Sequence, residues 1–239
     1  MKTNSAPHEP RLVRIAALLA DASRARMLSY LLGGELASAS ELAACASVSA
    51  STASAHLSQL LDAGLVSCEP RGRHRYYRLA DAEVAHALEA LALVAERGSH
   101  EAEWARPARA RLREARCCYG HLAGRAGVAL LTHLQQEHWL ETATTAAGPA
   151  FALSDRGAEG LAGWGLDGPA WQARLASAGP RRQAYPCLDW SERRDHLAGP
   201  LGHALLDHFL SRGWLRRQEG ERALAATPTG RRTLAWLPD

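Results

Sequence analysis

Residues 48–66, VSASTASAHLSQLLDAGLV, combine two properties that few folds accommodate together. Apolar side chains such as Leu57 and Leu60 recur at helical spacing, which predicts a helix with one buried face. Ser49 is a suitable N-cap for this helix, and Gly64 ends it. The opposite face carries small hydroxyl and amide side chains where an ordinary exposed helix carries lysine and glutamate. A smooth, hydrogen-bonding surface of this kind indicates that another molecule approaches the helix very closely.

The surrounding sequence predicts a winged helix-turn-helix. Apolar stripes at helical spacing precede the Ser-rich helix and predict three short helices. Two β-like runs follow it, at residues 65–69 and 75–79, around a predicted turn at 70–72 that is crowded with arginine. A further amphipathic helix extends from 81 to about 97. A winged helix-turn-helix has these elements in the same order: short helices, the helix of small residues, and a hairpin with arginines at its tip.

Two interpretations of the Ser-rich helix compete. A helix that enters the major groove of DNA must fit a slot about 12 Å wide and offer donors and acceptors to base edges. Arginines on the hairpin suit phosphates or the adjacent minor groove. The alternative is that a helix of small residues packs tightly against another helix. The capped turn before the helix and the arginine hairpin after it favour DNA binding.

Three segments resemble the ArsR/SmtB family of bacterial repressors: DASRARMLSYLL, ELAACASVSASTASAHLSQLLDAGLV and RGRHRYYRLAD. The resemblance extends over roughly residues 10–97. The resemblance implies a homodimer, held by the first and fifth helices, that binds a two-fold symmetric operator in double-stranded DNA and releases it when a ligand arrives. Ala55 departs from the family pattern, so sequence preference is left open. The DNA contacts that the resemblance implies are Ser49, Ser51, Thr52, Ser54, His56 and Gln59 on the helix, and Arg73 and Arg75 in the wing.

The metal sites of that family are incomplete in this sequence. One of them uses two cysteines at the start of the third helix, and the other uses carboxylates and histidines of the fifth helix from both subunits. The positions that correspond to these ligands are Ser38 and Ser40 in the third helix, and Asp81, Glu83, Val94 and Arg97 in the fifth. Serine is a poor ligand for soft metals, so neither site is expected to work.

The bulk composition bounds the class of protein. The 239 residues suffice for two modest domains, and the net charge is +3. No apolar stretch is long enough to span a bilayer, and the N-terminal sequence lacks the apolar core of a signal peptide. We therefore expect a cytoplasmic protein without a membrane partner. The five cysteines are expected to be free thiols in a reducing compartment.

An internal duplication occupies the rest of the chain. HLAGRAGVALLTHLQQEHWL at 121–140 and HLAGPLGHALLDHFLSRGWL at 196–215 match at eleven of twenty positions without a gap. The predicted fold class is mainly α with small β-wings. Residues 1–100 form a winged helix-turn-helix DNA-binding and dimerisation domain. Residues 101–239 form a sensor domain of two pseudo-repeated, winged-helix-like units, at about 115–165 and 187–239.

Three interpretations of the sensor domain remain open. Cys117, Cys118 and Cys187 could bind a soft metal or metalloid, or form a thiol switch, and both uses need thiolates. They could also be buried small hydrophobic residues, the most frequent role of cysteine. Nearby segments resemble parts of extended family members, although Gly120 replaces an aspartate of that pattern. The third interpretation is an organic inducer in a pocket lined by Trp139, Trp164, Trp171, Trp190 or Trp214.

Other functional classes receive less support. The histidines at 121, 133, 196 and 208 occupy equivalent positions in the two repeats. We expect them to be structural, because residues that a duplication retains usually stabilise the repeated fold. An enzyme is the alternative interpretation, with these histidines, Asp189 and Ser191 as catalytic residues. The sequence contains no nucleophile elbow or phosphate-binding loop that would support it. We therefore expect a DNA-binding repressor and no enzyme, with a protein-interaction scaffold as a remote alternative. The small inducer is not identified by the sequence.

Overall fold

The computed structural model describes residues 12–34, 36–71, 74–97, 105–146, 148–168, 183–218 and 221–238, together with Trp171, Ala173 and Leu175. The chain divides into two compact units, which we call unit 1 (Met1–His86) and unit 2 (Ala87–Asp239). The boundary lies inside the helix Ala82–Ala95, whereas the sequence prediction divides the chain after residue 100. None of the helices in the described ranges is both long and apolar enough to cross a membrane.

Unit 1 is built on short, capped helices. The Asp21 carboxylate accepts hydrogen bonds from the backbone N–H groups of Ser23 and Arg24, and Ser38 forms a capping box with Glu41. Ser49 caps the Ser-rich helix, as predicted, and its hydroxyl accepts a bond from the Thr52 N–H. The helices are α1 (Leu12–Leu19), α2 (Ala22–Leu31), α3 (Ala39–Ala46), α4 (Ala50–Asp62) and α5 (Ala82–Ala95), and the last part of α5 belongs to unit 2.

A three-stranded antiparallel sheet follows α4. Strands β2 (Val66–Arg71) and β3 (His74–Leu79) form the predicted hairpin, and the short β1 (Ala37–Ser38), which was not predicted, pairs with β3. The predicted turn at 70–72 is wrong, because Pro70 lies in the ladder opposite Arg75. Proline is tolerated there since β2 is an edge strand and its missing N–H faces no partner.

The apolar stripes of the sequence form the core of unit 1. They meet between α2, α3, α4 and the sheet, and their side chains are almost fully excluded from solvent. The most completely buried of them are Met27, Leu28, Leu31, Leu42, Ala53, Leu57, Leu60 and Leu79.

The described residues of unit 2 form four antiparallel hairpins and five helices. The order hairpin, helix of 13 residues, hairpin and short helix occurs twice along the chain. The hairpins are β4 (Arg116–Cys118) with β5 (His121–Ala123), β6 (Leu140–Thr145) with β7 (Gly148–Leu153), β8 (Tyr185–Leu188) with β9 (Asp195–Ala198), and β10 (Leu215–Arg217) with β11 (Leu224–Ala226). The helices are α6 (Pro107–Glu114), α7 (Gly124–Gln136), α8 (Asp155–Gly163), α9 (Gly199–Ser211) and α10 (Pro228–Thr233).

Two glycines allow the 13-residue helices to pack directly on the hairpins of unit 2. A Cβ on Gly127 of α7 would lie 2.4 Å from the carbonyl oxygen of Leu122 and 3.3 Å from the Cβ of His196. A Cβ on Gly202 of α9 would lie 2.5 Å from the corresponding oxygen of Leu197 and 3.2 Å from the Cβ of His121. Each helix therefore contacts its own hairpin and the histidine of the other hairpin. This packing places β5 beside β9.

Candidate DNA-binding surface and buried cysteine–histidine cluster

The outward face of α4 holds most of the predicted DNA contacts. Ser49, Ser51, Thr52, Ser54 and Gln59 are exposed, and His56 is half-buried. The Ser49 hydroxyl lies 2.9 Å from both the Ser51 hydroxyl and the Thr52 hydroxyl. The first turn of α4 therefore presents a short row of hydroxyl groups that can donate or accept hydrogen bonds.

Sequence reasoning missed Arg24, which orients part of this surface. One guanidinium nitrogen of Arg24 donates a hydrogen bond to the Gln59 side-chain oxygen at 3.0 Å and lies 3.2 Å from His56 Nδ1. The Arg24 Nε donates to the Leu18 carbonyl at 2.8 Å, so hydrogen bonds from two nitrogens fix the orientation of the guanidinium group. Helix α2 thereby positions two residues of α4. No local pattern reveals this contact, because Arg24 and His56 are 32 residues apart.

The wing presents arginines from an exposed hairpin. Arg75 is exposed, and its Nε donates a hydrogen bond to the Cys68 sulfur at 3.3 Å. Its guanidinium carbon lies 5.9 Å from the centre of the Tyr77 ring, which is buried. The predicted wing residue Arg73 lies outside the described residues. The side chain of Arg75 is thus anchored on the hairpin while its charge stays accessible to a phosphate.

The residues at the family's metal positions have other partners or face solvent. Ser38 caps α3, and the Asp81 carboxylate accepts a hydrogen bond from the Val84 N–H at 2.9 Å. Of the remaining positions, Ser40, Glu83, Val94 and Arg97 are exposed.

In unit 2, the first Cys–His pair lies on the hairpin β4–β5. Cys118 and His121 are directly opposite each other in the ladder, so their side chains lie on the same face. The two residues between them, Tyr119 and Gly120, have φ values of 46° and 95°. Two consecutive positive φ values are typical of the tight two-residue hairpin turn. Gly120, which replaces an aspartate of the family pattern, suits this turn because glycine adopts such a φ at no steric cost.

The second Cys–His pair lies on the hairpin β8–β9, where Cys187 is opposite His196. Because β5 lies beside β9, the two pairs meet. One sulfur or ring nitrogen from each of Cys118, His121, Cys187 and His196 lies within 4.8 Å of those of the other three. All four residues are buried, with exposed fractions of 9% or less. A group of two thiols and two imidazoles therefore lies inside unit 2.

The two imidazole rings face each other. Their Nε2 atoms are 3.1 Å apart, and the rings stack with centres separated by 5.0 Å. The Nδ1 atom of His121 is buried without a hydrogen-bond partner in the described structure. The Nδ1 atom of His196 lies 3.4 Å from a carboxylate oxygen of Asp189. Burial lowers the pKa of His121, since the charged imidazolium is the form that burial disfavours.

Asp189 connects this cluster to a buried ion network. Its carboxylate accepts hydrogen bonds from Arg116 at 2.9 Å and from the Gly124 N–H at 2.7 Å. Burial alone would raise the pKa of Asp189, but the charges of Arg116 and His196 more than offset it, and the pKa lies well below its ordinary value. The guanidinium of Arg116 also lies 4.3 Å from the Trp190 ring and close to Glu89, which is paired with Arg222.

The environment distinguishes the two thiols of the cluster. A hydrogen bond from Cys118, with further bonds from His121 and His196, holds the pKa of Cys187 far below its ordinary value. The same bond to Cys187, together with burial, raises the pKa of Cys118. The hydrogen bond between the two thiols therefore acts in opposite directions on their two pKa values.

The third predicted sensor cysteine is not part of this group. Cys117 precedes Cys118 in the same strand, and successive side chains of a strand point to opposite faces. Cys117 packs in the large apolar core of unit 2, whereas Cys118 and Cys187 pack together in a separate cluster. Burial raises the pKa of the Cys117 thiol. The structure thus brings together two of the three predicted cysteines and adds two histidines that the sequence interpretation treated as structural.

The other repeat-equivalent histidines and the tryptophans have packing roles. The His208 Nε2 lies 2.7 Å from the Trp164 carbonyl oxygen, and the His133 ring lies 5.6 Å from Trp139. Trp139 and Trp164 are in contact at the edge of the core, and Trp214 is buried in it. An open groove of about 590 Å³ is lined by Arg125, Thr132, Arg194 and Trp236, among others, and by none of the five tryptophans predicted to form a pocket.

Ser191 and Asp189, considered above as catalytic, form a mutual hydrogen bond of 2.7 Å beside Arg116, and Asp189 is fully buried. Their contacts are those of a structural network. The sequence offered one signal for the pairing of Cys118 and Cys187 with His121 and His196. Each cysteine precedes the first residue of one HLAG repeat, by three and nine positions respectively.

The capped α4, its exposed small-residue face and the arginine hairpin define a winged helix-turn-helix DNA-binding protein. Residues 19–69 match a family model described as a helix-turn-helix domain. The chain is 36% identical over 222 residues to the HTH-type transcriptional regulator YdfF of Bacillus subtilis strain 168, with 93% of this chain and 94% of that protein covered. The chain belongs to this family of HTH-type transcriptional regulators.

Solved structures similar to the N-terminal part include two mycobacterial proteins. One is the homodimeric winged helix-turn-helix DNA-binding domain of Mb0332 from Mycobacterium bovis, described as a possible ArsR-family regulator. It is 30% identical, with 38% of this chain and 86% of that chain covered and a TM-score of 0.34. The other is the cadmium sensor CMTR from Mycobacterium tuberculosis, which is 39% identical, with 33% and 81% covered and a TM-score of 0.29.

Proposed function

We propose that this regulator is a homodimeric repressor of the ArsR type that binds a two-fold symmetric operator and releases it when unit 2 receives a signal. The observation that carries the proposal is the exposed row of small polar side chains on α4, above a face that buries Ala53, Leu57 and Leu60. A chain of the HTH regulator family with this surface has the shape and the hydrogen-bonding groups that the major groove requires.

The residues of α4 and of the wing have different roles in this proposal. Ser51, Thr52 and Gln59 contact base edges, since hydroxyl and amide groups both donate and accept hydrogen bonds there. Arg75 contacts phosphate, because its charge is exposed at the hairpin. A contact to phosphate positions the protein on DNA but does not distinguish one base sequence from another. Arg24 holds Gln59 in position before DNA arrives, and so reduces the entropy lost on binding.

Apolar side chains left in solvent support the homodimer. On α1, which has no buried residue in this chain, Leu12 is 69% exposed and Val13 is 51% exposed. On α5, Leu91 and Val94 are each 51% exposed. The family resemblance assigns the dimer contact to these two helices. A second copy of the chain would cover both apolar surfaces and give the two-fold symmetry that an inverted repeat requires.

Unit 2 is the proposed receiver of the signal. The twofold occurrence of hairpin, 13-residue helix, hairpin and short helix supports a duplicated architecture, with units at about 115–165 and 187–239. Ser154 and Thr227 occupy equivalent positions as helix caps, and each hydroxyl also donates a bond to a nearby backbone carbonyl. A small inducer or a thiol modification in this unit would shift the DNA-binding equilibrium by a coupling free energy of about 1–3 kcal/mol.

DNA binding is tested by fluorescence anisotropy with the DNA upstream of the protein's own gene. We expect two protomers per operator and an affinity that falls steeply with salt. Thr52→Ala and Gln59→Ala should relax the preference for that sequence by about 1–3 kcal/mol per lost base contact. Arg156→Ala is the control, since this exposed arginine lies on α8 of unit 2. Binding that is insensitive to salt and equal for all sequences would contradict the proposal.

The dimer is tested by light scattering after size-exclusion chromatography. Leu12→Glu and Leu91→Glu should convert the dimer to a monomer, because each places a charge in an apolar contact. Leu188→Glu is a matched control, since Leu188 is 47% exposed on β8 in unit 2. A wild-type protein that is monomeric at all concentrations, while binding DNA tightly, would rule out the dimeric repressor.

A further inference from the structure

The buried group in unit 2 has the composition of a metal-ligand set. Two thiols and two imidazoles converge from two hairpins, and each hairpin supplies one Cys–His pair. Apolar packing does not explain this group, because four polar side chains lie together in the interior and the Nε2 atoms of the two histidines face each other at 3.1 Å. Buried polar groups that converge in this way usually indicate an ion, a water molecule or a function.

We propose that Cys118, His121, Cys187 and His196 form a closed, four-coordinate site for a divalent transition metal, with Zn²⁺ as the preferred ion. Two thiolates and two imidazoles are a frequent ligand set of structural zinc, and four protein ligands complete its tetrahedral coordination. The site is distinct from the family's metal positions in the third and fifth helices. It is also distinct from a three-cysteine site, because Cys117 lies in another cluster.

The distances are compatible with this coordination. Zn–N bonds of about 2.0–2.1 Å place two tetrahedral nitrogen ligands about 3.3 Å apart, and Zn–S bonds of about 2.3 Å place two sulfur ligands about 3.8 Å apart. The Nε2 atoms of the two histidines are 3.1 Å apart, and all four ligand atoms lie within 4.8 Å of one another. Small adjustments of the two hairpins around the ion therefore suffice.

The charges surrounding the site favour a divalent ion. The neighbouring network contains two cations, Arg116 and Arg222, and two anions, Glu89 and Asp189, so it is balanced on its own. On binding, each cysteine loses its S–H proton to solvent and forms a bond to the metal, while the imidazoles stay neutral. Two thiolates and one divalent ion add no net charge to the interior, and neither the metal nor the sulfur changes oxidation state.

Asp189 supplies the support that metal-bound histidines usually have. A histidine that binds a metal through one ring nitrogen commonly donates its other N–H to a carboxylate, which fixes the tautomer and the ring orientation. His196 is placed for this arrangement, with its Nδ1 3.4 Å from Asp189 and its Nε2 facing the cluster. Asp189 is itself held by Arg116 and by the Gly124 N–H.

The metal would connect the two hairpins of unit 2. The hairpins β4–β5 and β8–β9 are more than 60 residues apart in sequence, and the ion would form two bonds to each of them. Metal binding is then part of the folding free energy of unit 2, since the unfolded chain contains no preformed site. This inference concerns unit 2 alone and does not rest on DNA binding or on its release.

The experiment uses the full-length protein, purified under reducing conditions, and measures bound metal by plasma mass spectrometry. We expect one equivalent of zinc per chain, either as purified or after adding ZnCl₂ and removing the excess. Replacement by Co²⁺ should give the visible absorption bands of a tetrahedral ion together with a thiolate-to-cobalt charge-transfer band. DNA affinity is not used as a readout, so a failure here is distinguishable from a failure of the repressor proposal.

Matched variants then identify the ligands. Cys118→Ser and His121→Asn should each reduce bound Co²⁺ at least tenfold, whereas Cys117→Ser and Cys45→Ser should retain one equivalent. His196→Cys is a second kind of test that does not depend on loss. It should keep the metal and strengthen the charge-transfer band by adding a third thiolate.

Three results would overturn the proposal. The first is a reduced wild-type protein that takes up neither Zn²⁺ nor Co²⁺. The second is a loss of metal on Cys117→Ser as large as that on Cys118→Ser. The third is a Co²⁺ spectrum of an octahedral ion without thiolate bands, which would indicate adventitious binding elsewhere on the surface. If the single variants do not fold, the spectrum of the wild-type protein decides the question by itself.

Discussion

Helices α4 and α7 have the same length and opposite relations to solvent. Both contain 13 residues, but α4 buries three of them and α7 buries seven. On α4 the exposed positions carry Ser, Thr and Gln in place of long charged side chains. The comparison shows that equal helix lengths in this chain serve two purposes. One helix presents a face of small polar side chains to solvent, and the other forms the interior that positions the cysteine–histidine cluster.

The hairpins show the same contrast. The wing β2–β3 is exposed at its tip and carries arginines, whereas β4–β5 is buried along its whole length. Both are antiparallel ladders of similar local geometry. The difference lies in what packs against them, since α7 and α9 cover the Cys–His hairpins of unit 2. The same motif therefore presents charged side chains where it is exposed and contributes to the cysteine–histidine cluster where it is buried.

The largest effect is expected from Arg116→Met, which tests whether the interior of unit 2 depends on its ion network. The change leaves Asp189 without its buried cation, and breaking a buried pair in this way costs about 3–5 kcal/mol. Urea unfolding measures the loss. The exposed Arg156→Met should change stability by less than about 0.5 kcal/mol.

This ion pair also predicts a pH dependence. The folded pKa of Asp189 lies below its ordinary value of 3.8, so the pair stabilises the fold fully above that pH. The contribution is lost as the pH falls through the folded pKa, and Arg116→Met should flatten this dependence. An equal acid sensitivity in the variant would show that the pair does not stabilise unit 2.

The next largest effect concerns the cysteine–histidine cluster. With free Zn²⁺ at about 100 times its Kd, the folded state gains about 2.7 kcal/mol. For a protein of this size the gain raises the Tm by roughly 5–10 °C. Differential scanning calorimetry with and without a chelator measures the shift. Cys118→Ser should remove it, and a shift of the same size in that variant would place the metal elsewhere.

A smaller effect is expected from Ser49→Ala, which tests the N-terminal cap of α4. Loss of the bond from the Thr52 N–H costs about 1 kcal/mol of stability and frees the first turn of α4. Hydrogen exchange of unit 1 and DNA anisotropy measure the two consequences. Ser58→Ala, exposed on the same helix, is the control. Equal protection in both variants would mean that the cap does not order the helix.

The smallest effect is expected from Arg75→Ala in the wing. Loss of one phosphate contact should reduce the slope of log affinity against log salt by about 1, uniformly across DNA sequences. Stability should change by less than about 0.5 kcal/mol, because the side chain is exposed. Anisotropy titrations at several salt concentrations measure the slope. An unchanged slope, or a change confined to one sequence, would remove Arg75 from the phosphate contacts.

Much of unit 1 could be predicted from local sequence pattern. The cap at Ser49, the buried leucines of α4 and the hairpin were confirmed because each depends on residues a few positions apart. The turn at 70–72 was misplaced because proline usually marks a turn, and its tolerance depended on β2 being an edge strand. That position in the sheet is not encoded in the neighbouring residues.

The sequence by itself determined the helix-turn-helix, its polar face and the presence of cysteines and histidines near the repeats. Those features follow from backbone hydrogen bonds and side-chain periodicity, which act over short separations. Only the tertiary structure decided which of these residues meet. His121 and His196 are 75 residues apart, and their approach depends on the glycines through which α7 and α9 contact the hairpins. Cys117 and Cys118 are adjacent in sequence, yet the alternation of side chains along a strand places them in different clusters.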